Sequence, residues 1–398
     1  MNIAIIAPFC SLPDEAYFNR FLYLAQLLSE KHRVTLYTSH FRHHDKTFRR
    51  CIEPCASGEC RLQIRLLEET GYQRNISFKR IRSHQHFVQN LQREIITWQP
   101  KQFDVVYSAY PLITSNILLA DYKKRLGFKL IVDVQDVWPE SFSAVLPLVQ
   151  KLPTQLLPYS RKADLAYRGA DALIAVSQSY LARATRATPL PAERTLVAYI
   201  GADAEQIERV QPSRPEWTAD GIKRLFYLGT LSHSYDVYTV AQAVKQLAEQ
   251  GEAIELHVFG GGKDETRLQA LNHDSLILHG FLPYAEMLGL AKSCDIAVNA
   301  IHRHAPQSIT NKLSDYLLLS KPILNSQSNA EARDLIAQLP HQHYQSGNVA
   351  SCIKAIKLLL KQTDKNSENT LNPNIREQFD RRISYPKIVD LIERVVQQ

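Results

Sequence analysis

The sequence predicts an α/β protein of two doubly wound domains, and three observations carry that prediction. Short apolar runs alternate with amphipathic helical patterns up to about Asp203, and the same alternation restarts near Lys223. The chain has 398 residues, more than one hydrophobic core usually supports. Between the two alternating stretches lies "EQIERVQPSRPEWTADGIK", whose two prolines and mixed charge suit a connection between domains.

In the first half, "NIAIIAP" reads as a strand and "FNRFLYLAQLLSEK" as a helix returning across a sheet. "RVTLYTS" is the next strand, "HFVQNLQREIITW" a helix and "FDVVYSA" a strand; "TSNILLADYKKRLG" is helical and "FKLIVDVQD" extended. "ADLAYRGADALIAVS" runs from helix into strand, and "LVAYIGAD" closes the series. In the second half the strands are "KRLFYLGT", "IELHVFGGG", "LILHGFL", "DIAVNAI" and "KPILNS", separated by helices such as "DVYTVAQAVKQLAEQ" and "YAEMLGLAKSC". The predicted boundaries are a first domain over 1–204, a linker over 205–222, a second domain over 223–375 and a terminal helical segment over 376–398. Strands alternating with helices give parallel sheets, which bind ligands at the carboxyl ends of their strands.

Charge and cysteine content narrow the function. The net charge is +7 and the pI near 9.0, which favours anionic partners: nucleotides, phospholipid headgroups or nucleic acid. Eleven basic against six acidic residues fall between His40 and Pro100, so much of the excess lies in one early segment. That segment can attract anionic phospholipid or a polyprenyl-diphosphate acceptor, and a solvated charged face is the other reading. No zinc-finger spacing, RNA-binding signature or polybasic tail is present, so no nucleic-acid partner is expected. The opening "MNIAIIAPFC" is a strand and no signal peptide, and no apolar run is long enough to span a bilayer; a cytoplasmic protein is expected, peripheral to the inner face of the plasma membrane. Cys51, Cys55 and Cys60 cluster in "CIEPCASGEC" without a CxxC pair, a spacing that matches no standard zinc site, so free thiols are expected.

The stretch "SITNKLSDYLLLSKP", from Ser308 to Pro322, places Lys312, Asp315 and Tyr316 at helical spacing behind a polar start. Ser308 or Thr310 can cap the first turn, and the N–H groups behind a cap form an anion site. A capped surface helix with a Lys/Asp pair is the plain alternative. "FGGGKDE" departs from the dinucleotide fingerprint G-x-G-x-x-G, so Gly260 to Gly262 read either as a close backbone approach to a ligand or as a turn.

Four stretches resemble the GT-B glycosyltransferases, specifically the GT4-like retaining enzymes that build bacterial capsules, O-antigens and exopolysaccharides. They are "ADALIAVSQSYLAR", "LVAYIGAD", the run from "LHVFGGGKDETRLQAL" to "CDIAVNA", and "ITNKLSDYLLLSKPIL". "VDVQDVWPESF" resembles the amino-sugar and capsule branch. The resemblance implies two Rossmann-like domains facing each other across a cleft, with acceptor bound by the first, nucleotide sugar by the second, and a terminal helix crossing back to the first. It implies that the diphosphate lies on the helix amides around Ser308, Ile309 and Thr310 with Lys312 beside it, and that Asp315 bonds the ribose. Gly229, Thr230, Gly260 and Gly261 would border the donor, and the base would sit near Phe281 and Leu282. The reaction implied is transfer from a nucleotide diphosphate sugar, UDP-linked, to a saccharide acceptor on a lipid. No cofactor is implied, and no Asp-x-Asp motif points to an essential metal.

Three departures from the family pattern stand in the sequence. Gln307 occupies the place of the first of two glutamates, Thr230, Ser232 and His233 stand where an Arg and a Lys are usual, and Gln135-Asp136 replaces a His-Asp pair. Asp136, Gln307 and Lys312 are therefore the candidate catalytic residues, while Asp133, Asp136 and Glu140 also read as a structural network around Trp138-Pro139. Two other readings stay open: a UDP-sugar 2-epimerase, and a non-catalytic subunit that binds nucleotide sugar.

Overall fold

A computed structural model describes residues 1–398 apart from 14, 16, 17, 51–60, 76, 144–156, 304, 306–308, 364–370 and 398. The chain divides into two compact units: Met1–Ala198 with Tyr385–Gln398, and Tyr199–Ser384.

Unit 1 contains the strands β1 (Asn2–Ile6), β2 (Arg33–Ser39), β3 (Phe41–Arg42), β4 (Thr47–Phe48), β5 (Leu62–Leu67), β6 (Val105–Tyr110), β7 (Lys129–Val134), β8 (Ala172–Ala175) and β9 (Thr195–Val197). Seven of them form a parallel sheet in the order β5-β2-β1-β6-β7-β8-β9, and β3 and β4 pair as a small antiparallel hairpin. The strand order reverses between β1 and β6, the switch point at which such sheets bind ligands. Period-2 alternation assigns the two faces: Ile3 and Ile5 enter one core with Phe21, Leu24 and Leu36, whereas Ala4 and Ile6 enter the other with Phe87, Leu91 and Ile95. The Phe78–Thr97 helix supplies the last three from one stripe, and Ser77 caps it by accepting from the Arg80 N–H at 3.2 Å. The Pro386–Gln397 helix lays Ile388, Leu391, Ile392 and Val395, one apolar face at i, i+3, i+4 and i+7, into the first core.

Unit 2 holds β10 (Lys223–Leu228), β11 (Ile254–Phe259), β12 (Leu276–Gly280), β13 (Ile296–Asn299), β14 (Ile323–Asn325) and β15 (His341–His343) in the parallel order β12-β11-β10-β13-β14-β15. Its switch point lies between β10 and β13. The segment read as a linker, 205–222, is packed into this unit. It carries the Ala204–Arg209 helix and a turn at Pro215–Thr218, and the Ser213 N–H donates to the Gly289 carbonyl at 2.9 Å. The terminal segment read as 376–398 is divided: the Pro373–Phe379 and Arg381–Ser384 helices belong to unit 2, and only residues from Tyr385 onward belong to unit 1. Among the described residues no helix is long and apolar enough to cross a membrane. Cys10, Cys294 and Cys352 are buried free thiols, whereas Cys51, Cys55 and Cys60 lie outside the described residues.

Candidate functional site

The carboxyl ends of β10, β11 and β12 are fastened together through glycine backbone. The Gly229 N–H donates to the Phe259 carbonyl at 2.8 Å and the Gly260 N–H to the Gly280 carbonyl at 2.7 Å. Gly260 has φ +120°, and a Cβ there would stand 2.2 Å from the Gly229 oxygen, so only glycine lets the two strand ends approach this closely. A Cβ on Gly261 would meet the Phe281 ring at 3.0 Å, which places the exposed Phe281 beside the glycine loop. Thr230 is exposed, and its carbonyl accepts from the Tyr227 hydroxyl at 2.8 Å. The sequence grouping of Gly229, Thr230, Gly260, Gly261, Phe281 and Leu282 is thus one border of one unit.

The Asn311–Leu318 helix begins at the same border. Lys312 points from its first turn towards Gly229: a Cβ at that glycine would lie 3.4 Å from Lys312 Nζ. Nζ donates to the Tyr227 hydroxyl at 2.5 Å and stands 4.1 and 3.5 Å from the ring centroids of Tyr227 and Tyr235. No carboxylate among the described residues pairs with Lys312, which is 8% exposed, and burial holds its pKa well below the ordinary lysine range. Asp315 lies one turn on, where the Tyr284 hydroxyl donates to its Oδ1 at 2.6 Å. Burial pushes the Asp315 carboxyl up to about 6, against the Tyr284 hydrogen bond and the charge of Arg381.

Thr310 occupies the N-cap position, but its side chain makes no capping bond; its Oγ1 is buried without a hydrogen-bond partner, as is Ser314 Oγ. The first intrahelical bond is from the Leu313 N–H to the Thr310 carbonyl, so the preceding N–H groups have no intrahelical acceptor. Ile309 immediately precedes the cap, whereas Gln307 and Ser308 lie outside the described residues.

Asp136 belongs to unit 1. Its Oδ1 accepts from the Val137 N–H at 2.8 Å and the Ser141 hydroxyl at 2.5 Å, and its Oδ2 accepts from the Trp138 indole at 3.0 Å. These bonds fix the turn containing the cis Trp138-Pro139 peptide. The neighbouring carboxylates are engaged elsewhere. Asp133 is fully buried and accepts from Arg20 at 2.7 Å and from the Tyr107 hydroxyl at 2.5 Å, while Glu140 pairs with Arg183.

Two family models divide the chain between them: one described as Glycosyltransferase Family 4 matches residues 19–206, and one described as Glycosyl transferases group 1 matches residues 222–362. The chain belongs to the GT-B glycosyltransferases. Solved glycosyltransferase structures share its fold along its whole length. Sucrose-phosphate synthase from Thermosynechococcus elongatus gives a TM-score of 0.69 at 13% identity, covering 100% of this chain and 99% of that one. HepE from Anabaena, in complex with UDP, gives 0.66 at 16% identity, with 99% and 100% covered. WaaG, a glycosyltransferase involved in lipopolysaccharide biosynthesis, gives 0.60 at 12% identity, with 99% and 98% covered. No curated protein matches the chain.

In this glycosyltransferase the residues that sequence reasoning missed are the aromatic partners. Tyr227 and Tyr235 hold Lys312, and Tyr284 carries the loop after β12 onto Asp315. The sequence spacing gave no sign of these pairs, because each partner lies on a different strand end or helix. A tyrosine two residues before the glycine that follows β10 is the nearest thing to a signal.

Proposed function

We propose that this glycosyltransferase is a retaining, metal-independent enzyme that takes a sugar from a UDP-sugar and passes it to a lipid-linked saccharide in surface polysaccharide assembly. The observation that carries the donor reading is the convergence of Lys312, Asp315 and the glycine-bordered strand ends within unit 2. A lysine buried among tyrosines without a carboxylate is stabilised in its charged form when an anion arrives. A diphosphate at the start of the Asn311–Leu318 helix supplies that anion, and it also meets the helix N–H groups and the orphan Thr310 hydroxyl. Asp315 then offers its carboxylate to the ribose. The leaving diphosphate is stabilised by these fixed donors, and its oxygen takes the acceptor proton on the same face of the sugar.

HepE is described in complexes with UDP and with UDP-glucose, which supports uracil as the base. For a lipid-borne acceptor, the support is at the start of the Phe78–Thr97 helix. Phe78 is 91% exposed and Ile81 49%, with the exposed Arg74, Lys79 and Arg82 beside them, a combination suited to an anionic headgroup layer.

A thermal-shift titration with UDP, GDP, CMP and dTDP and their sugar conjugates tests the donor reading. UDP and one UDP-sugar are expected to raise Tm saturably. Asp315→Ala abolishes the shift, and Lys312→Met weakens UDP binding roughly tenfold to a hundredfold, the range for losing a charge-assisted contact of about 1.5–3 kcal/mol. A protein that responds to no nucleotide is instead a non-catalytic partner subunit.

A further inference from the structure

Unit 1 gathers a second set of charged and aromatic side chains that the donor site does not use. Phe9 follows β1, His43 and Lys46 lie in the β3–β4 hairpin, Tyr72 follows β5, Trp138 follows β7, and Arg80 and His84 lie on the Phe78–Thr97 helix. All of the strand-following residues stand at carboxyl ends of the parallel sheet, two of them on strands flanking or next to the switch point.

The contacts are close. Phe9 lies 4.9 Å from the His43 ring and 5.3 Å from the His84 ring, and the Tyr72 ring is 5.9 Å from His84. His43 Nδ1 is hydrogen-bonded to the Tyr72 hydroxyl. The Arg80 guanidinium stands over both Tyr72 and Trp138, at 5.6 and 5.2 Å from their centroids, and Lys46 lies 4.9 Å from the Tyr72 centroid. The Trp138 indole is in turn held by Asp136.

The charge balance sets this cluster apart from the buried arginines of the unit. Arg20 is paired with Asp133, Arg49 with Glu15, and Arg183 with Glu140 and Asp164. No carboxylate among the described residues forms an ion pair with Arg80 or Lys46. The nearby buried Glu69 is bonded by Ser39 and Ser83 instead, at 2.6 and 2.8 Å. Two cations and two imidazoles thus share one half-buried place in which, among the described residues, no carboxylate forms an ion pair with either cation, and a guanidinium backed by aromatic rings is suited to phosphoryl oxygens.

We propose that Arg80, Lys46, His43 and His84 form a subsite for the phosphoryl group of a phosphorylated saccharide acceptor. The proposal rests on the reading of the chain as a transferase with such an acceptor. A free sugar phosphate and a lipid-linked diphosphate present the same oxygens to the subsite. A bound phosphoryl dianion offsets the cationic neighbours that, with burial, hold both imidazoles low, so binding in mildly acidic solution draws protons.

The test is isothermal titration of the full chain, saturated with UDP to fill the donor site, using inorganic pyrophosphate as the probe at pH 7. Arg80→Met is expected to weaken pyrophosphate at least tenfold and to leave UDP affinity within twofold, with Arg80→Lys losing less. Proton uptake, read at pH 5.5 by repeating the titration in buffers of different ionisation enthalpy, is expected to fall in His84→Gln, a change that loss of packing alone would not produce. An Arg80→Met protein that binds pyrophosphate as the parent does overturns the proposal, and so does a UDP-saturated parent that binds none of pyrophosphate, glucose 1-phosphate and octyl diphosphate. Tighter binding of octyl diphosphate than of glucose 1-phosphate assigns the lipid source, and the reverse assigns the free sugar phosphate. If UDP does not bind but pyrophosphate binding still depends on Arg80, the donor reading fails and the subsite stands.

Discussion

Lys312 and Asp315 are three residues apart on one helix and are both displaced from their ordinary titration by burial, the lysine downward and the carboxyl upward. For Asp315 the folded value near 6 exceeds the unfolded value near 3.8, so protonation favours the folded state. The carboxyl's contribution to stability is fully present below about 3.8 and is lost as pH rises through 6. At pH 7.5 the ionised carboxylate is therefore a net cost to the fold. Asp315→Asn keeps an acceptor for Tyr284 and removes the charge, and it is expected to raise Tm by a few degrees while losing UDP binding. A thermal melt of the variant at pH 7.5 checks this, and a lower Tm would show that the ionised carboxylate stabilises the unit. The sequence showed that Lys312 and Asp315 share a helix face, because i and i+3 spacing is local. It gave no sign that tyrosines would hold both, since Tyr227 is 85 residues from Lys312 and Tyr284 is 31 from Asp315.

Among the elements, the ends of β10, β11 and β12 hold the glycine loop in place by backbone alone. Gly260→Ala forces a side chain into left-handed backbone and against the Gly229 carbonyl, and is expected to destabilise unit 2 by roughly 2–5 kcal/mol. Gly251, with φ +88° and nothing within 4 Å, is the control: alanine there meets only the backbone strain. Urea denaturation of the two variants separates the terms, and equal midpoints would show that the strand ends part readily. The buried strands β1, β6, β7, β10, β11 and β13 were legible as apolar runs between helices, as parallel strands covered on both faces are. Four strands were not: β3, β4, β5 and β15. β5, "LQIRLL", is an edge strand carrying Arg65 and alternates partly buried with exposed residues. The β3–β4 hairpin has only two residues a side, and the short β15, "HQH", has no apolar residue.

At the scale of the molecule, both units contain histidines that burial keeps neutral. His43 and His84 in unit 1 are pushed down to about 3, by burial first and then by Lys46 and Arg80 for His43 and by Arg80 and His43 for His84. His279 in unit 2 is pushed down to about 4 by burial and by His257, whose own pKa is also lowered. Each folded value lies below the unfolded 6.5, so the unfolded chain binds more protons in between. The stability these groups carry is fully present above about 6.5 and is lost as pH falls towards 3–4. At pH 5 the loss is expected to be about 1 kcal/mol per histidine once partial solvent screening is discounted. Urea midpoints at pH 7.5 and 5.0 measure it, and unchanged midpoints would mean that the imidazoles protonate in place. The division into two α/β halves was legible because the alternation stops and restarts. The exact crossing points, at 198/199 and 384/385, were not: the polar segment 205–222 looks like free linker until its packing against the Tyr284–Ser293 helix is seen.

The Pro386–Gln397 helix gives unit 1 an unusual place in time. Ribosomal synthesis delivers residues 1–198 ahead of unit 2, yet the helix that covers Ile3, Ile5, Leu24 and Leu36 emerges only after it. Unit 2, continuous from Tyr199 to Ser384, is complete before unit 1 has all of its core, so the nascent chain carries an uncovered apolar sheet face throughout the making of its second half. Chaperone contact during translation belongs to that interval, and a premature stop just before Tyr385 strands the protein in it.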